Sequence, residues 1–284
     1  LCQSVWRLLM QLFALTALTM VAFAANSVLT RYALAFDQIS PGAFMAIRLG
    51  SGAVVLAALM ALRGGSGHKQ GSVVSALALL LYAAAFSYAY VSLDAGIGAL
   101  ILFGGVQITM FAGALIAGER PSILRWSGMA MGMVGLGILF APGAVVPDLF
   151  GALLMVLAAL GWGIYSLRGK LVQKPLHATG ANFLMAAPVG FLIWFIFPQG
   201  AAISGQGIAL AIASGAAASG LGYAIWYSVL PKLDASVAAI VQLTVPVIAV
   251  LGGMVFLDES MTAAFAISTI LTLGGVALAV VSKR

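Results

Sequence analysis

Charge is what this 284-residue chain has least of: Lys and Arg number 13, Asp and Glu 7, and charged residues make up 7% of it. A soluble domain carries about a quarter charged residues, so an ordinary water-facing surface is excluded. Cysteine is nearly absent. Its single copy, Cys2, leaves no disulfide framework, no CxxC pair and no thiolate metal site. The two histidines, His68 and His177, fall in loop-like stretches far from any second ligand, so no metal or other cofactor is expected. There is no HExxH, no phosphate-cradling glycine loop and no paired acids within a span. These absences argue against an enzyme and against ATP as a direct energy source. No basic cluster is interleaved with aromatics, so the formal net charge of +6 does not point to nucleic acid.

What is present is apolar. Hydrophobic residues make up 63% of the chain, and the mean hydropathy is +1.15. About 20 apolar residues at 1.5 Å rise cross a hydrocarbon core about 30 Å thick. With that ruler the chain divides at Gly, Pro and charge clusters into approximate crossings Leu8–Ala35, Pro41–Leu62, Ser72–Leu93, Ala95–Ala117, Leu124–Phe140, Leu149–Leu167, Ala178–Phe197, Gly207–Leu230, Ala235–Leu257 and Thr262–Val281. Arg7, an apolar run and Ala22-Phe23-Ala24 imitate a secretory signal, but apolar sequence continues to Ala35 and reads as a first span. The expected fold class is all-α: a polytopic membrane protein with ten transmembrane helices and the lipid bilayer as its surroundings.

Direction follows from the basic residues of short loops. With the amino terminus inside, one side collects Arg7, Arg63, Lys69, Arg120, Arg125, Arg168, Lys170, Lys174, Lys232, Lys283 and Arg284, leaving only Arg31 and Arg48 elsewhere. The other side holds Asp37, Asp94, Asp148, Asp258 and Glu259. Both termini are therefore expected in the cytoplasm.

The second half echoes the first. Glu119 and Glu259 are 259 − 119 = 140 positions apart, as are Asp94 and Asp234, and the same offset lays Ala95 on Ala235, Ile108 on Ile248 and Gly113 on Gly253. Ten spans then split into two five-helix repeats, residues 1–145 and 146–284. An odd number of crossings per repeat inverts the second copy, an arrangement shared by many secondary transporters.

Gly118-Glu119-Arg120-Pro121 through Gly128, Gly132 and Gly135, with Leu257-Asp258-Glu259-Ser260 through Gly274-Gly275, resembles the span-four and span-five ending of EamA-type transporters of the drug/metabolite transporter superfamily. Ala25-Asn26-Ser27-Val28-Leu29-Thr30-Arg31-Tyr32, Arg48 in span two, and Trp162-Gly163 before Arg168 and Lys170 are similar to that family as well. The chain departs from it at Phe23-Ala24, where Trp-Gly is frequent, and at Met185, which stands roughly where Arg48 stands in the first half. The resemblance implies export of small metabolites across the bacterial inner membrane, neutral amino acids and their analogues above all.

A polar group deep in a span must face protein or water. Asn26, Tyr82, Gln107, Trp162, Tyr165, Tyr223 and Gln242 are such groups. Each alone could simply bond a neighbouring helix. As a set they are expected to line a substrate cavity, with Tyr82 meeting Tyr223 and Gln107 meeting Gln242. Pro246 interrupts span nine and frees the carbonyl of Gln242, giving either a gating hinge or a static bend. Trp6, Trp126 and Trp194 read as interfacial anchors, whereas Trp226 fits either role. Arg31 and Arg48 read first as cations snorkelling to the outer interface, and second as carboxylate-capturing groups at the outer mouth. Glu119 and Glu259 are explained by capping and dipole effects at the starts of spans five and ten. The glycine seams of spans five and ten are expected to pack within the molecule, with a homodimer interface as the second choice.

Every acid lies near a membrane surface in this reading. With no buried carboxylate or histidine to relay protons, the expected mechanism is gradient-driven alternating access. A passive channel, a structural membrane protein, or a cationic-drug exporter of the same superfamily are the competing readings.

Overall fold

A computed structural model describes residues 2–63, 70–138, 148–197, 203–256 and 263–281. Among the described residues all regular structure is helical. In chain order the helices are α1 (Cys2–Ala35), α2 (Pro41–Arg63), α3 (Val73–Ala89), α4 (Ala95–Ile116), α5 (Ile123–Ile138), α6 (Leu149–Gly169), α7 (Pro175–Ile196), α8 (Gly205–Lys232), α9 (Ala235–Phe256) and α10 (Ala263–Val281). Seven of the ten, all but α3, α5 and α10, are long and apolar enough to cross a membrane; Val73–Ala89 and Ala266–Val281 are shorter apolar helices. His68, Lys69, Asp258, Glu259, Lys283 and Arg284 lie outside the described residues.

The helix boundaries have local causes. Pro175 stands at the first turn of α7, where its missing N–H costs nothing, so this helix begins three residues before the expected Ala178. Asp148 accepts a hydrogen bond from the Gly151 amide and caps α6. At the end of α4, Gly118 takes φ +83°, with Gly118 N–H bonded to Leu115 and Glu119 N–H to Ala114. That left-handed ending turns the chain sharply. It also aims Glu119 away from α5: the carboxylate accepts from Ala235 N–H at 2.8 Å and from the Ser236 hydroxyl at 3.0 Å. Glu119 thus caps α9 rather than the helix that follows it.

The packing keeps its pattern when helices 1–5 are exchanged for helices 6–10. α2 packs on α7, α4 on α9 and α5 on α10. α3 on α6 corresponds to α8 on α1, and α4 on α6 to α9 on α1. The glycine seam is filled internally: a Cβ on Gly128 would stand 2.5 Å from the carbonyl oxygen of Gly275, and one on Gly275 would stand 2.5 Å from that of Gly128. Only hydrogen side chains let these two backbones approach so closely.

Polar bonds between helix ends form two sets. One joins Arg31 to Asp94, Ser92 to Asp148 and Ser204 to Gln38. The other joins Arg168 to Ser72 and Ser75, Asn182 to the Ser72 amide, Lys170 to Glu119, and Arg125 to Asp234. Each set gathers the helix ends that an alternating up-and-down path would bring to one face.

Candidate functional site

Four helices supply one buried polar cluster: α1, α2 and α3 from the first half and α8 from the second. Arg48 of α2 donates from Nε to Ser219 Oγ at 3.0 Å, and from Nη2 to Tyr82 OH at 2.9 Å and Tyr223 OH at 2.7 Å. Its guanidinium carbon also lies 5.0 Å from the Tyr82 ring centre and 4.8 Å from that of Phe86, within cation–π range. Asn26 of α1 donates to the same three hydroxyls at 3.3–3.4 Å and accepts from Ser214. Tyr223 OH donates to Tyr82 OH at 3.1 Å. Asn26, Arg48 and Tyr223 are each 1% exposed and Tyr82 is 4% exposed, so the cluster is closed to both sides.

Two local features make this convergence possible. α8 contains a π-helical stretch, Ala213–Leu221, built of Ala, Ser and Gly with a terminal Leu. Ser214 and Ser219 are five residues apart, which on an ordinary helix at about 100° per residue would point them about 140° away from each other. The wider i→i+5 turn stacks them instead, and both reach Asn26. Gly215 supplies the second feature. A Cβ there would collide with the Arg48 carbonyl oxygen and Ser51 Oγ, so its absence lets α8 lie against α2.

An aromatic wall surrounds the cluster. Trp162 of α6 packs on Phe23, Tyr82 and Tyr223 with ring centres 5.0, 5.1 and 4.6 Å away. Its indole N–H donates to Gln242 Oε1 at 2.7 Å, and Gln242 Nε2 donates to Ala238 O at 3.1 Å. Tyr165 stacks beside Trp162 at 5.7 Å and shares a 2.7 Å hydrogen bond with Thr179. Trp226 is fully buried, with its indole N–H on Ser166 Oγ at 3.2 Å, so it belongs to the core and not to an interface.

The expected pairing of Tyr82 with Tyr223 is present, and Asn26, Trp162 and Tyr165 are within the same set of contacts. Gln242 joins through Trp162. Gln107 is fully buried with neither amide atom bonded; Gln242 contacts Met110, one turn beyond it. Pro246 is buried, and α9 is interrupted just before it at Leu243, whose N–H reaches back to Ile240 at 3.0 Å.

Arg48 departs from the outer-interface expectation. It is 1% exposed, against 8% for Arg125, and no acid among the described residues bonds it. Asp94, Asp234 and Glu119 pair instead with Arg31 at 2.9 Å, Arg125 at 2.7 Å and Lys170 at 2.9 Å. Withdrawing a cation from water costs several kcal/mol even after relaxation. Three hydroxyls and two ring faces offset part of that cost. Ser166, Thr179 and Ser214 escaped sequence reading because a hydroxyl in a span usually bonds its own helix carbonyl.

Outside the cluster, an apolar groove of about 440 Å³ runs along α4, α5 and α6 past Gly104, Gly105 and Val156. A second hollow of about 770 Å³ opens beside Arg63, Lys174 and His177. Neither is lined by the cluster residues.

Comparison with known proteins places this geometry among relatives. The profile of the EamA-like transporter family matches twice, over residues 10–141 and 149–281. An uncharacterized protein of Pseudomonas aeruginosa is 47% identical over 265 residues, covering 93% of this chain and 92% of its own. An uncharacterized transporter of Bacillus subtilis is 25% identical over 79% of this chain and 82% of its own. An uncharacterized transporter of Archaeoglobus fulgidus is also 25% identical, over 93% and 95% of the two chains. A solved crystal structure with 22% identity superposes with a TM-score of 0.74, covering 93% of this chain and 98% of that one; it speaks for the fold alone.

Proposed function

The chain belongs to the EamA-like transporter family, and from that premise we propose that it is a secondary transporter exporting small neutral metabolites, amino acids above all, by alternating access. It is a carrier and not an enzyme. Its ten helices all cross the bacterial inner membrane as two inverted five-helix repeats, residues 1–145 and 146–284, with both termini cytoplasmic. The exchange-invariant packing and the two sets of end-to-end polar bonds support that topology.

One observation carries the reading: a closed polar cluster in an apolar bundle, held jointly by α1, α2 and α3 of one half and α8 of the other. Rocking one half against the other would open such a site first to one face and then to the opposite one. The aromatic wall of Phe23, Trp162 and Tyr165 suits an apolar solute body, and the hydroxyls and amides suit its polar end. A fixed cation at the centre disfavours the cationic-drug reading. The absence of a carboxylate from the cluster favours movement down a solute gradient over proton relay.

The test is a flux screen in proteoliposomes with labelled neutral amino acids, repeated with Tyr82→Ala and Trp162→Ala. We expect saturable, stereoselective counterflow in the native protein and a loss of roughly tenfold or more in each variant with the fold retained. Non-saturable flux would mark a channel, and no flux of any solute would remove the transport reading.

A further inference from the structure

We propose that Arg48 is the docking point for the carboxylate of the transported solute, so the site selects small molecules bearing one carboxylate. This rests on the transport reading above and names the chemistry of the solute's polar end.

The argument is a count of donors against acceptors. A guanidinium offers five N–H donors and a primary amide two, whereas each hydroxyl adds one donor and accepts. Arg48 Nε and Nη2, and Asn26 Nδ2, all converge on Tyr82, Tyr223 and Ser219. The one side-chain carbonyl among these groups, Asn26 Oδ1, is taken by Ser214. Donors therefore outnumber acceptors, and the surplus is concentrated on a full positive charge. Arg48 Nη1 makes no hydrogen bond although the residue is 1% exposed. A carboxylate supplies what this cluster lacks: two oxygens, about four lone-pair positions and one negative charge.

The remaining groups fix the polarity of the solute. Asp94, Asp234 and Glu119 are committed to Arg31, Arg125 and Lys170, so none competes for the guanidinium. Among the described residues Arg48 is the one cation bonded to the cluster hydroxyls, so the site has one cationic pole. A carboxylate seated on Nη1 leaves Nη2 on the Tyr82 and Tyr223 hydroxyls, so the guanidinium holds the solute and the cluster together. Phe23 and Trp162, packed on the Tyr223 ring, supply an apolar surface for the rest of the solute.

The experiment uses the full-length protein in lipid nanodiscs and measures binding by calorimetry. The probes are L-phenylalanine, L-leucine, L-threonine and L-methionine, each paired with its carboxamide. The native protein is expected to prefer at least one acid over its amide by roughly tenfold to a hundredfold. Arg48→Gln should erase that preference, and Arg48→Lys should keep part of it. Native protein that binds acid and amide equally, or binds no acid, overturns the proposal, as does an Arg48→Gln protein with undiminished preference. If Arg48→Gln does not fold, the acid–amide comparison on the native protein decides alone. Proteoliposomes that carry amides as fast as acids would sink the Arg48 assignment while leaving transport standing.

Discussion

Glu119 joins three chain segments at one point. Burial alone would raise its pKa, but the Lys170 ammonium and the backbone N–H groups of Ala235 and Ser236 more than reverse this and hold it below its ordinary 4.5. A carboxyl with a depressed folded-state value stabilises above the unfolded value, and that contribution disappears as pH falls through the folded one. Glu119→Gln should therefore lower the melting temperature at pH 7 and pH 6 alike. The gap between native and variant should close only below about pH 4.5. An equal gap at pH 7 and pH 3.5 would contradict the assigned role. The 140-residue match to Glu259 marks Glu119 in the sequence but not the helix it caps, because the Gly118 turn that redirects it is a tertiary choice. Arg48 shows the same limit at greater cost. Its depth in α2 was readable from residue count, but its direction was not, because a span in lipid is apolar all round and periodicity no longer separates inside from outside.

Helices α5 and α10 are joined by glycines rather than by large side chains. Gly128→Leu would push against the Gly275 carbonyl and a neighbouring backbone amide of α10, that of Ala279, neither of which can rotate away. Overpacking of this kind costs about 1–3 kcal/mol, so Gly128→Leu should fall clearly in detergent melting temperature. Gly137→Ala is the control: a Cβ there meets nothing within 4 Å and should leave stability equal or slightly raised. Equal effects in the two variants would mean that the seam is not a tight contact. The seam was legible because small residues recur at helical spacing. The π stretch of α8 was not. Its run of Ala, Ser and Gly scores as ordinary helix, and only the neighbouring Arg48 carbonyl and Asn26 amide give the wider turn its purpose. Pro246 in α9 is an intermediate case, since proline announces a break but not whether the break moves.

At the scale of the whole molecule, the two halves of the chain meet around a buried guanidinium that no acid among the described residues bonds. Contacts of α2 with α7, α4 with α9 and α5 with α10 join equivalent members of the halves, the surfaces on which the proposed rocking would turn. The cluster lies off those three contacts, where α8 of one half closes over α1, α2 and α3 of the other. Its hydrogen bonds run between the halves, whereas α5 and α10 meet through small residues, where the buried hydroxyls of Ser268 and Thr272 make no hydrogen bond. The shared fold could be anticipated from composition and repeat, while the closure of the site depends on contacts between helices that no single segment encodes. The most direct measurement places one thiol at the centre: Ser219→Cys in a Cys2→Ser background, reconstituted and exposed to a membrane-impermeant maleimide from each compartment in separate reactions. We expect labelling from both sides, slowed by a saturating transported solute. Labelling from one side only, or from neither, would contradict a site that opens to each face in turn.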